Sequence, residues 1–366
     1  MKICHVTMHY QPIVGGQEVY IKNLIDIFAE HGIESEVIQP YNFRWGDQNN
    51  QTRIIYTPAI PKLPLWLKWF VFNFSLYFYK KKLAGYDALI CHYPFHYPAI
   101  KWHKKVIVVS HGILFDKQLK TIFDKYLAKT SRLVCHSQCS VVANDTDFLR
   151  FNDIAVNPGD KYFSEIKPGI WFVPNCIDTK KYFDLGANRD NKIIVVRNIR
   201  PDRGIDLAIK AFALFNEKIS GYKLSFIGSV GDPEYYKQCQ QLIGELKLGE
   251  QIEFIGHLNQ AAVIKEYAQA KMSLVPSISK EGTSLSALES MACGTPVVST
   301  NIGGLADLPA LRVEVKAEPM AEAMIEVVNN WQQYSVKQKA ETQKFNLDNW
   351  AAAWLRVIRD ITKINL

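Results

Sequence analysis

The chain has 366 residues, enough for about two domains of ordinary size. Apolar residues make up 48% and charged residues 22%, which excludes a disordered, collagen-like or coiled-coil chain, because there is ample apolar surface to bury. The net charge of +7 is local rather than general: residues 62–132 carry 13 basic and 3 acidic side chains.

The N-terminus, Met1-Lys-Ile-Cys-His-Val-Thr7, enters a short apolar run at once and lacks the longer apolar region of a secretory signal. Seven scattered cysteines, an odd number, fit a reducing compartment, so a cytoplasmic protein is expected. Short apolar runs then alternate with amphipathic, helix-length segments, which predicts parallel α/β architecture. In the first half, strands are expected over 2–7, 34–39, 53–56, 87–92, 105–110 and 132–136.

Between the first two lies a helix over 18–31, with Val19, Leu24, Ile27 and Phe28 on one face. Gly15 and Gly16 precede it. They allow close backbone approach to an anion at a helix N-terminus, or simply make a tight turn. The longer G-x-G-x-x-G of dinucleotide sites is absent here.

The most apolar stretch, 63–79, contains eight aromatics but also Pro64, Lys68, Asn73 and Ser75, and is too short and interrupted for a spanning helix. With Lys80, Lys81 and Lys82 at its end, it reads either as a membrane-surface segment or as a core helix with a basic end. Cys135, His136 and Cys139 have no second Cys/His pair at zinc spacing, so no metal site is expected.

A second β-α series follows Pro174, with strands over 192–197, 223–227, 251–255, 272–275 and 296–300 and helices over 206–217, 233–246 and 261–270. Arg197, Arg200 and Arg203 follow its first strand. They are placed to bind a diphosphate through charge-assisted bonds, or to form a solvated loop. Further on, Glu281-Gly-Thr-Ser-Leu-Ser-Ala-Leu-Glu289 opens a helix over 285–293, with Thr283 or Ser284 as N-cap and Gly294 as its close. Helix amides suit a phosphate or sugar hydroxyl, and a carboxylate suits the vicinal hydroxyls of a ribose. Two solvated glutamates would explain this placement poorly. A final helix over 347–364 carries Trp350, Trp354 and Ile358 at helical spacing and is expected to pack across a domain boundary.

The block from Pro276 to Gly304 resembles the E-x7-E signature of retaining GT-B glycosyltransferases of family 4. Weaker similarity extends to the Gly15-Gly16 loop, Pro174-Asn-x-x-Asp178 and Phe254-Ile-Gly-His257. The resemblance implies two doubly wound, Rossmann-like α/β domains facing a central cleft. Residues 1–183 would form the acceptor side, 184–344 the nucleotide-sugar domain, and 345–366 a helix packing back toward the first.

By position, the resemblance assigns Glu289 to the ribose and Glu281, with the amides of Gly282, Thr283, Ser284 and Leu285, to the donor sugar. Arg203 stands at the family's diphosphate lysine; Asn198 stands at its arginine, and Arg197 is the substitute. Gly15 and Gly16 would approach the diphosphate, Gly256 and His257 would rim the nucleobase, and His111 matches the active-site histidine. His111 ends an expected strand and precedes a glycine, which favours function over a satisfied structural histidine. Thr283-Ser284 in place of Phe-Gly, and Cys176 in place of the linker glycine, depart from the pattern.

The implied activity is retaining, metal-independent hexosyl transfer from a nucleotide sugar, UDP- or GDP-linked, to a glycan or lipid-linked acceptor of cell-surface polysaccharide synthesis. No cofactor or metal is implied. The basic segment 62–82 suggests peripheral contact with the anionic inner face of the cell membrane, and no nucleic-acid module is recognisable. The competing readings are a catalytically impaired nucleotide-sugar or glycan-binding protein and a GT-B-type sugar-nucleotide epimerase.

Overall fold

Strands covered by helices on both faces read as continuous aliphatic runs rather than alternating ones. Val106–Ser110 is such a run and is buried at every position. The computed structural model describes residues 1–11, 15–41, 52–113, 118–156, 162–279 and 281–363. It divides into two units, one of Met1–Pro174 with Asp348–Leu366 and one of Asn175–Leu347.

The first unit holds β1 (Lys2–Val6), β2 (Glu34–Pro40), β3 (Arg53–Thr57), β4 (Ala88–Cys91), β5 (Val106–Ser110), β6 (Ser140–Ala143), β7 (Ser164–Lys167) and β8 (Ile170–Phe172). Their order is β3-β2-β1-β4-β5-β6-β8-β7, parallel throughout except for β7 against β8. The second unit holds β9 (Lys192–Val196), β10 (Lys223–Ile227), β11 (Ile252–Gly256), β12 (Met272–Val275), β13 (Val297–Thr300) and β14 (Leu311–Val313). Its order is β11-β10-β9-β12-β13-β14, all parallel. Both sheets reverse direction of winding once, between β1 and β4 and between β9 and β12. At such a switch point the loops after the strands diverge and leave a crevice at their carboxyl ends.

One expected strand is wrong. Residues 132–136 are the last turn of the helix Ile122–Cys135, and the strand is Ser140–Ala143. Thr121 and Asp124 start that helix with a reciprocal capping box, and Leu127, Ala128, Ser131, Val134 and Cys135 bury one face at helical spacing. The Arg-Leu-Val-Cys-His run is apolar because it ends this stripe. The β7–β8 hairpin and β14 were not anticipated.

The helix Leu65–Phe78 is apolar on two sides. Trp69, Phe72 and Leu76 enter the core, while Leu65, Trp66, Phe70, Phe74, Tyr77 and Phe78 are exposed. The last helix runs from Leu347 to Thr362, and the expected end at 364 lies outside the described residues. It buries Trp350, Trp354, Val357 and Ile358 in the first unit, where Trp354 Nε1 donates to the Tyr20 hydroxyl at 2.9 Å.

Candidate functional site

In the second unit the loops after β9 and β12, the switch-point strands, bring the candidate donor residues together. Arg197 follows β9 directly. After it the chain makes a short 3-10 turn, Pro201–Arg203, closed by Gly204 with φ +65°. A Cβ at Gly204 would stand 1.9 Å from the Pro276 carbonyl oxygen, so this position requires glycine both for its left-handed backbone and for the approach to the β12 loop.

The Arg197 guanidinium donates to Ser277 Oγ at 2.9 Å, to Ser284 Oγ at 3.1 Å and to the Glu281 carboxylate. Arg203 donates to the same carboxylate oxygen, Oε2, while Oε1 accepts from Ser277 Oγ at 3.2 Å. Glu281 is thus ion-paired on both sides and its side chain is only 12% exposed. Burial and the neighbouring Arg197 charge lower the Arg203 pKa, while Glu281 acts the other way. Asn198 turns away from this cluster, and its Oδ1 accepts from the Ser229 backbone N–H at 3.2 Å.

The Glu281 loop is held from two directions. Gly304 donates its N–H to the Glu281 carbonyl at 2.7 Å, and a Cβ there would come within 2.4 Å of the Gly282 and Thr283 backbone. Asn175 donates its backbone N–H to Thr283 Oγ1 at 2.8 Å and its side-chain amide to the Thr283 carbonyl. The Pro174-Asn175 motif therefore positions the E-x7-E loop, a role not anticipated for it.

Ser284 is the N-cap of the helix Leu285–Ala292, as one alternative held. Its hydroxyl makes no capping bond, however, because Arg197 and Ser286 engage it. The expectation of a side-chain cap is corrected on that point. The first-turn amides of any helix lack intrahelical partners, so this end favours an anion or an oxygen-rich ligand. Gly294, with φ +76°, closes the helix.

Glu289 lies on the same helix, half-buried, and accepts from the Tyr267 hydroxyl at 3.3 Å. Burial pushes its pKa up to about 7, against hydrogen bonds from Tyr182 and Tyr267 that favour the carboxylate. Both tyrosines were missed, and no local sequence signal marks them. Gly256 ends β11 with φ +87°, its carbonyl accepting from the Gly228 N–H at 2.9 Å, and His257 beyond it is exposed.

In the first unit, Gly15 is the N-cap of the helix Gly16–Glu30. A Cβ on Gly15 would stand 2.9 Å from Glu18 Oε2, so the Glu18 carboxylate folds back over this helix end. Burial raises its pKa, partly offset by hydrogen bonds from the Gly15 and Glu18 backbone. The helix end at Gly15 and Gly16, where an anion was expected, thus holds a carboxylate of the chain itself.

His111 follows β5. Both its ring nitrogens are engaged, Nε2 with His92 Nδ1 and Nδ1 with the Asn144 amide, each at 3.1 Å. His92 and His5 carry no expected role from the sequence. They meet His111 only because their strands are neighbours in the folded sheet, so no local sequence signal linked them to it. Asp145-Thr-Asp147 has the spacing of a metal-binding pair, yet Asp145 caps the helix Thr146–Phe151 by accepting from the Phe148 N–H at 2.7 Å. Among the described residues no cluster of three or more His, Cys, Asp or Glu side chains could hold a metal ion, and Cys135 and Cys139 are buried, free thiols.

Two family models match the chain. Glycosyltransferase Family 4 matches residues 14–145 of the first unit, and Glycosyl transferases group 1 matches residues 178–344 of the second. An uncharacterized glycosyltransferase of Methanocaldococcus jannaschii is 26% identical, over 98% of both chains. D-inositol 3-phosphate glycosyltransferase of Corynebacterium aurimucosum is 23% identical, over 96% of this chain and 94% of that one. Among solved structures, sucrose-phosphate synthase from Thermosynechococcus elongatus superposes with a TM-score of 0.77 at 19% identity, covering 98% of each chain. Anabaena HepE in complex with UDP and glucose gives 0.75 at 15% identity, over 98% of this chain and 99% of that one. With two parallel-sheet α/β units matching along their lengths, the chain belongs to the family 4 glycosyltransferases of GT-B fold.

Proposed function

We propose that this glycosyltransferase moves a hexosyl group, with retention, from a UDP- or GDP-linked sugar to a glycan or lipid-linked acceptor in cell-surface polysaccharide synthesis, on the cytoplasmic side. The observation that carries the donor reading is the pair of guanidiniums, Arg197 and Arg203, converging on one carboxylate at the switch point of the second sheet. A diphosphate offers them the same charge-assisted bonds with more charge. On its arrival Glu281 is released toward the sugar hydroxyls, and Glu289 lies two turns along the same helix for a ribose diol.

Breaking the glycosidic bond leaves negative charge on the diphosphate. The two arginines, with the amides at the start of the helix Leu285–Ala292, supply stabilisation for it without a metal ion. The reaction then needs no covalent nucleophile: the departing phosphate takes the acceptor proton, and attack on the face it leaves retains the anomeric configuration.

The acceptor reading draws on the helix Leu65–Phe78. Phe74, Tyr77 and Phe78 are 69%, 67% and 71% exposed, and Lys80, Lys81 and Lys82 follow them at the surface. Aromatics beside lysines suit the headgroup region of an anionic bilayer. No described helix is long and apolar enough to cross a membrane. Co-sedimentation with anionic liposomes should fall on changing Lys80–Lys82 to Glu; binding that is absent in the parent or unchanged in the variant removes this part.

The donor reading is tested with UDP-, GDP-, ADP- and dTDP-sugars. One of them should raise Tm and release nucleoside diphosphate in EDTA, with the product anomer matching the donor's. If none binds, the reading fails. Binding without turnover favours a sugar-nucleotide-binding module, and an epimerised donor favours the epimerase.

A further inference from the structure

Four polar side chains form a row across the carboxyl ends of the central strands of the first sheet. His5 is on β1, and His92, His111 and Asn144 directly follow β4, β5 and β6, which are consecutive neighbours. Parallel strands repeat at about 4.8 Å, so side chains at matching levels on one face stack at nearly that spacing. The imidazoles of His5, His92 and His111 are separated by 5.4 Å at each step, with interplanar angles of 18° and 14°.

Each step is also a hydrogen bond. His5 Nδ1 lies 3.1 Å from His92 Nε2, His92 Nδ1 lies 3.1 Å from His111 Nε2, and His111 Nδ1 lies 3.1 Å from Asn144 Nδ2. At the far end His5 Nε2 is buried and has no hydrogen-bond partner among the described residues. Tyr20 covers the row, edge-on to His111 at 4.9 Å and to His92 at 6.5 Å, and Phe28 lies 6.1 Å from His5. Burial of these rings disfavours their charged forms and carries His5 and His111 down to about 3.

A neutral imidazole has one N–H and one lone pair. Each inner bond of the row joins Nδ1 of one ring to Nε2 of the next, so a run of N–H···N bonds has a single direction. If one ring carries hydrogen on Nε2, all three must. We infer that His5, His92 and Asn144 are positioning residues for His111, holding it neutral and in one tautomer through a row of rings that change tautomer only together. The inference rests on the reading of His111 as a residue of the transfer site. With the Asn144 amide nitrogen facing His111 Nδ1, that nitrogen accepts, and hydrogen resides on Nε2 of every ring. His111 is then no independent base: its Nδ1 lone pair accepts from the Asn144 amide, and its one N–H is committed to His92. It presents an uncharged ring of fixed orientation at the carboxyl end of β5.

The test is nitrogen NMR of the full chain labelled at histidine. His5, His92 and His111 should all be neutral and all carry hydrogen on Nε2 down to about pH 5, below the ordinary histidine value of about 6.5. Mixed tautomers, or an imidazolium among the three near neutrality, overturn the row without any variant being made. His92→Phe keeps a ring and removes both nitrogens. In it, His111 should begin to titrate and kcat should fall about tenfold or more, with the donor Kd within about twofold, and His92→Gln should restore part of the loss. An unchanged kcat in His92→Phe overturns the positioning role. Donor binding and turnover in that variant would still stand, so this failure is distinguishable from failure of the glycosyl-transfer reading.

Discussion

Arg197 donates to the Glu281 carboxylate across 84 residues of sequence, and it does so at the oxygen that Arg203 also reaches. Two cations meeting one anion leave the cluster with net positive charge. On the proposed donor reading, Glu281 stands between the two guanidiniums as a substitute for a diphosphate.

Removing that substitute should destabilise the free protein and not the complex. Glu281→Gln leaves two guanidiniums facing each other in a half-buried site, at a cost of about 1–3 kcal/mol. Differential scanning fluorimetry should show a lower Tm, regained on adding UDP, GDP or pyrophosphate. A Tm equal to the parent's without ligand would mean that the pairs contribute nothing.

Arg203→Ala should weaken donor binding about 10- to 100-fold, the scale of one or two charge-assisted bonds, while leaving the fold intact. Isothermal titration with the donor found by screening reads this directly. An unaltered Kd would assign the diphosphate elsewhere.

Glu289 gives a pH signature. Its pKa is about 7 in the fold, because of burial, against an ordinary value of 4.5. A raised acid favours the fold fully below about pH 4.5 and loses that contribution as pH rises through about 7. Glu289→Gln keeps the shape without the charge, so its stability advantage should grow across that window to about 2–3 kcal/mol. Denaturant melts from pH 4 to 8 check the slope; a constant difference refutes it.

Gly304→Ala tests the support of the Glu281 loop. The added methyl would lie 2.4 Å from the Gly282 and Thr283 backbone, which has no flexible end to yield. The loop must shift, and donor affinity should fall at least about tenfold although no donor-binding group is removed. Wild-type affinity would show that the loop adapts.

In the first unit, Trp354→Phe should cost about 1 kcal/mol through loss of the bond to Tyr20, and Trp354→Ala about 3–5 kcal/mol through the cavity as well. Equal effects of the two substitutions on urea unfolding would contradict this division.

Much of the architecture was legible from the chain. Runs such as Ile193 to Val196 are aliphatic because both faces are covered, and the amphipathic segments between them can bury one side only on a sheet. The E-x7-E spacing brings Glu281 and Glu289 near one helix by local geometry alone. Local pattern misled at 132–136, where the apolar stripe of a helix end resembles a strand, and it gave no hint of the β7–β8 hairpin, whose outer strand is mostly polar and partly exposed.

What the sequence determined by itself is therefore what depends on neighbours along the chain: the β-α alternation, the helix that follows Glu281 and carries Glu289, and the family. Only the tertiary structure decided who meets whom across the sheets. Arg197 and Arg203 face Glu281 because β9 and β12 are adjacent at a switch point, and His5, His92 and His111 form a row because β1, β4 and β5 are neighbours. Parallel pairing places residues some 80 positions apart within hydrogen-bond reach, and nothing local in the chain records which strands will pair.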